Sequence, residues 1–102
     1  MSLTNKTGLE ILQEIGARLR IYRLQMSLTQ ADLATRAGVN RTTIRDIEAG
    51  KDSQLSTLVK LLRALGRLED LDAFMPKPSV SPIQLMKLQG KPRQRARKSS
   101  DG

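Results

Sequence analysis

Lys91, Arg93, Arg95, Arg97 and Lys98 put five cations into eight residues near the C-terminus. A cluster of that density neutralises phosphates without reading a base sequence, and it serves equally as a solubilising end. Catalytic chemistry finds far less to work with. The chain has no Cys and no His, so the commonest nucleophile, proton shuttle and zinc ligands are missing. Carboxylates, Ser and Lys remain, but they form no cluster of acid, base and nucleophile. An enzyme is not expected, nor a metal site or a cofactor.

Where the charge sits matters more than its sum. The net charge is +8 over 102 residues. Residues 1–75 hold eleven Lys/Arg against nine Asp/Glu, whereas residues 76–102 hold seven against one. The first part is nearly balanced, so isoelectric point alone does not make it a nucleic-acid reader. Only Tyr22 and Phe74 are aromatic, too few for the base-stacking platforms of single-stranded RNA readers. No disulfide is available, no apolar run of signal-peptide length lies in residues 1–12, and no stretch approaches a membrane span. These features predict a cytoplasmic chain that does not enter a membrane.

Leu, Ile, Val and Ala supply nearly all the apolar mass, which suits packed helices better than a sheet. The expected class is all-α, with five helices and a short appended C-terminal helix or extended segment. Met1 to Gly8 is polar and reads as a flexible end. Leu12, Ile15, Leu19 and Tyr22 recur at spacings of three and four, marking one face of a helix over Leu9 to Met26. Thr29 is placed to cap a second helix, and Asp32 suits the positive end of that helix better than it suits a ligand site. Gly38 supplies a stop and turn. Asn40 caps a third helix, Arg41 to Ala49, with Ile44 and Ile47 facing inward and Gly50 ending it. Leu55, Leu58, Val59, Leu62 and Leu65 form the inner stripe of a fourth helix stopped by Gly66. Leu68 to Met75 reads as a short fifth, ended by Pro76.

Composition shifts at Pro76-Lys77-Pro78-Ser79, which reads as a linker. Ser81-Pro82 then looks like a cap followed by proline at the first helical position, opening a short helix to Gln89. Its four large apolar residues cannot make it stable alone, so it must pack on its own domain, a second copy or a partner. The organisation predicted is a flexible end over 1–8, a folded domain over 9–75, an interaction segment over 76–90 and a basic tail over 91–102.

The run from Gln30 to Gly50, QADLATRAGVNRTTIRDIEAG, resembles the lambda-repressor-like family, the Cro/CI or XRE type of helix-turn-helix. The likeness extends from about Ile15 to Phe74. Ala34 is small where two helices cross, Gly38 makes the turn, and Val39, Ile44 and Ile47 seat the second helix on the first. The resemblance implies that this second helix enters the major groove of duplex DNA with its N-terminal residues at the base edges. Position by position, it implies base reading by Arg41, Thr42, Thr43, Arg45 and Asp46. It implies backbone or clamp contacts by Thr29, Gln30, Arg36, Asn40 and Lys51. Arg23 and Glu48 match the family's internal ion pair between first and third helices. Plainer readings stand beside these: Arg41 and Arg45 as solvated charges, Thr42 and Thr43 as capping residues, Asp46 as an acceptor for an Arg or a cytosine. The implied function is a sequence-specific, homodimeric transcriptional regulator, more in keeping with a repressor than an activator, from a bacterium or phage. The segment Pro82 to Lys98 is also similar to the tails of HipB-like antitoxins, which implies a HipA-like kinase toxin as a partner.

Overall fold

The computed structural model describes residues 3–79 and 81–90, and among these every regular element is an α-helix. The helices are α1 (Gly8–Gln25), α2 (Gln30–Ala37), α3 (Arg41–Glu48), α4 (Leu55–Ala64), α5 (Glu69–Phe74) and α6 (Pro82–Gly90). The basic run after Gly90 lies outside the described residues.

Local chemistry sets most of the boundaries. Thr7 opens α1 through a reciprocal cap: its hydroxyl accepts from the Glu10 N–H at 3.2 Å, and the Glu10 carboxylate accepts from the Thr7 N–H at 2.9 Å. The helix therefore begins one residue before the periodicity suggested. Thr29 and Asp32 make the same reciprocal cap on α2, both bonds at 3.0 Å. Gly38, at φ 74°, turns the chain out of α2 in the left-handed region open to glycine. Asn40 occupies the cap position of α3, yet its side chain makes no capping bond; only its carbonyl works, accepting from Thr43 and Ile44. Ser81 caps α6 by exchanging bonds with Gln84.

The core is one cluster: Leu19 of α1, Leu33 and Ala34 of α2, Ile44 and Ile47 of α3, and Leu61, Leu62 and Leu65 of α4 and its end. Full burial of a side chain such as Leu33, Ile44 or Leu61 is worth about 1.5–3 kcal/mol. α2 packs on α3 and α4, and α1 packs on α3. The inner face of α4 differs from the expected stripe. Leu61 is its most buried residue, while Leu55 is 75 % exposed. A helix this rich in leucine presents apolar residues on most of its circumference, so docking against α2, not periodicity, decides which side goes in. Arg67 ties the start of α5 to α1, with its guanidinium 3.8 Å from the Tyr22 ring centre and its Nε donating to Asp70.

One consequence of the α2 cap is open to titration. The carboxyl of Asp32 is held below the usual carboxylate range, chiefly by the backbone N–H of Thr29. Its stabilising contribution is thus complete above the ordinary value of about 3.9 and fades as pH falls through the lowered one. Carbon-detected NMR titration of the Asp32 carboxyl is expected to place its midpoint below the ordinary aspartate value of about 3.9; a midpoint at or above that value would remove the cap.

Candidate nucleic-acid interface

The α2–α3 pair is held in register by a buried ion pair. Arg23, on α1, and Glu48, at the end of α3, face each other with side chains only 7 % and 5 % exposed. The Arg23 Nε donates to one carboxylate oxygen at 2.7 Å and Nη2 to the other at 2.9 Å, the two-pronged geometry of the strongest such pairs. That bond raises the Arg23 pKa further, so the group is permanently charged. Nη1 donates to the Leu28 carbonyl at 2.8 Å, fastening the α1–α2 turn in which Ser27 sits at φ 58°. Gln30 Nε2 donates to Glu48 at 3.1 Å. Glu48 therefore binds α1, the first residue of α2 and α3 together. The resemblance pointed to the Arg23–Glu48 pair; Gln30 joins it as a third member, its amide N–H held inward.

α3 turns Ile44 and Ile47 into the core. At about 100° per residue, Arg41, Arg45, Thr42 and Asp46 then fall within an arc of roughly 140° on the outer side. Arg41, Thr42 and Arg45 are exposed, Thr43 and Asp46 half-buried. Arg41 and Arg45, one turn apart, border an open groove of about 450 Å³ whose other walls include Thr29, Gln30, Ala31 and Leu28. Neither arginine pairs with a carboxylate among the described residues. α3 has no acidic residue in its first turn to compete with an anion for its N-terminal N–H groups. The surface is thus an unpaired cationic edge beside two adjacent helix N-termini, suited to a polyanion with readable edges.

Other predicted residues sit differently. Asp46 faces Lys51, with Nζ to Oδ1 at 3.7 Å, so its acidity is directed at a lysine and not at an arginine. The Thr29 hydroxyl is occupied by its cap. Arg36 lies elsewhere: it lines a separate groove with Ser56, Val59, Lys60 and Arg63, on the α2–α4 side. Periodicity could not reveal this, because it follows from how α4 crosses α2.

Gly16 went unremarked in the sequence, although a glycine inside a helical pattern is itself a signal of close approach. A Cβ there would fall onto the Ile47 carbonyl oxygen and within 2.8 Å of that of Glu48. α1 and the C-terminal end of α3 touch backbone to backbone, and this contact brings Arg23 to Glu48.

Residues 19–71 match a family model described as helix-turn-helix. The chain is 43 % identical over 54 residues to an HTH-type transcriptional regulator of Sinorhizobium fredii, covering 52 % of this chain and 71 % of that one. It is 43 % identical over 56 residues to one of Methanocaldococcus jannaschii, covering 53 % and 85 %. A third, from Methanothermobacter thermautotrophicus, is 41 % identical over 58 residues, covering 56 % and 84 %. The matched stretch contains every residue of the interface and the ion pair beneath it. No helix of the described residues is long and apolar enough to cross a membrane. The chain belongs to the XRE-type helix-turn-helix family of DNA-binding transcriptional regulators.

Proposed function

We propose that the protein is a non-enzymatic, cytoplasmic repressor that reads an inverted-repeat operator in duplex DNA as a homodimer. The observation that carries this reading is the unpaired Arg41–Arg45 edge beside the start of α2, on a helix clamped from behind by Glu48. Arg41 offers a two-pronged contact to guanine O6 and N7, and Thr42 a contact to a thymine methyl or a phosphate. Lys51 and Asn40, at the two ends of α3, take backbone phosphates in this reading. A single unit covers only about half a turn of groove, so two copies are needed, with half-site centres about 34–36 Å apart or a multiple of that.

Selection of the full-length protein against a random duplex library at physiological salt tests the reading. An enriched inverted repeat supports it. Binding with no enriched sequence, collapsing as salt rises, would assign the affinity to nonspecific phosphate contacts and sink it. On the selected operator, Arg41→Ala is expected to weaken binding by about 1–3 kcal/mol and to relax preference at one base position. Equal weakening on selected and scrambled duplexes would leave Arg41 as a phosphate contact only.

A further inference from the structure

The segment beyond the family match has its own logic. All described side chains of α6 are exposed, including Ile83 (67 %), Leu85 (44 %), Met86 (70 %) and Leu88 (58 %). At about 100° per residue these four are spread around most of the helix, so it has no single apolar stripe. A helix apolar on most sides is a helix meant to be covered on more than one side. On the folded domain, α1, α4 and α5 enclose a groove of about 310 Å³ lined chiefly by apolar atoms, from Ile15, Tyr22, Leu55, Leu58, Leu62 and Phe74. Leu55 and Phe74 stand at its open rim, 75 % and 73 % exposed.

Groove and helix are complementary, yet the chain is poorly built to join them within one copy. Pro76 and Pro78 stiffen the start of the connection over 76–81 and disfavour the tight reversal needed to return beside Phe74, where α5 ends. Docking on its own domain would also cover only one side of α6. Charge suits the pairing of helix and groove: Lys87 is the only charged side chain of α6, whereas α5 carries Glu69, Asp70 and Asp72, of which Asp70 is paired with Arg67.

Resting on the homodimer of the regulator reading, we infer that α6 of each copy seats in the α1–α4–α5 groove of the other. The two α6 helices lie against one another, covering their remaining apolar sides. Two such exchanges related by a two-fold axis close the assembly.

The chain has no native cysteine, which makes the test clean. Full-length copies carrying Leu55→Cys are mixed with copies carrying Leu88→Cys and oxidised. A disulfide-linked dimer containing one of each is the expected product. If instead a single chain carrying both substitutions locks as a monomer, α6 covers its own groove and the inference is overturned. Absence of any link, with an unsubstituted chain that sediments as a monomer, also overturns it. In parallel, Leu55→Glu is expected to raise the dimer dissociation constant by at least about tenfold without lowering the melting temperature of the monomer. A chain that dimerises in this way but selects no duplex sequence sinks the regulator reading and supports this interface. A chain that still binds an inverted repeat as a dimer after Leu55→Glu and Leu88→Asp keeps the regulator reading and removes the interface.

Discussion

Glu48→Ala is expected to destabilise the domain by about 3–5 kcal/mol, because it strands the buried Arg23 guanidinium without its counter-charge. In a domain of this size each kcal/mol lowers the melting temperature by about 4–8 °C, so thermal unfolding should move down by roughly 12–40 °C. The loss is not confined to one bond. Arg23 loses two of its hydrogen bonds and keeps only the one to the Leu28 carbonyl, and Gln30 loses its acceptor. The start of α2 and the end of α3 then lose their shared carboxylate tie to α1, and the Arg41–Arg45 edge loses that backing. Replacing both partners, as Arg23→Met with Glu48→Leu, removes the stranded charge and should recover much of the stability. Chemical denaturation of the two variants measures the effect. A single-substitution cost near that of an exposed pair, about 1 kcal/mol or less, would show that the pair is not held in the buried state described. The solvent-accessible Asp46–Lys51 pair is the internal control: Asp46→Ala should change stability by no more than about that amount.

Gly16→Ala tests the same seam from the other side, and here the sign of the effect decides. In an open helix interior, alanine in place of glycine stabilises by about 1 kcal/mol. At Gly16 the added methyl meets the Ile47 and Glu48 carbonyls, which are backbone and cannot swing aside. Overpacking of a fitted contact costs about 1–3 kcal/mol, and a backbone obstacle puts this site at the upper end. The expected result is a melting temperature lower by about 12–24 °C. Operator affinity should also weaken, since α3 must move away from α1 and lengthen the Arg23–Glu48 bonds. A variant that melts at or above the parent temperature would refute the close approach of α1 and α3. The two substitutions share a contact region, so their effects should not add when combined.

Both predictions arise where α1 meets α3, a junction that the sequence showed only in part. The resemblance named Arg23 and Glu48 as partners, but not Gln30 as the third member or Gly16 as the residue that lets the backbones touch. The resemblance implies a backbone contact for Arg36. The groove it lines also holds Lys60 and Arg63 of α4. Asp46, placed among base readers by position, is drawn to Lys51.

What the sequence determined by itself depends on neighbours a few residues apart. The reciprocal cap of Thr29 and Asp32, the left-handed turn at Gly38, the inward Ile44 and Ile47 and the Ser81-Pro82 helix start are local contests. Their outcome needs only backbone donors, side-chain acceptors and helical spacing. Tertiary structure alone decided the questions in which several faces were equally apolar or equally charged. It turned Leu61 inward and left Leu55 at a rim, brought Gly16 against the Glu48 carbonyl, and sent Arg36 to α4 while keeping Arg41 and Arg45 unpaired on a common edge. The physical reason is that periodicity gives the direction of a side chain about its own helix axis, while the identity of what it meets depends on how that helix is docked. In this chain the approach of α1 to α3 joins one glycine-wide contact to one buried ion pair between residues separated by 25 positions.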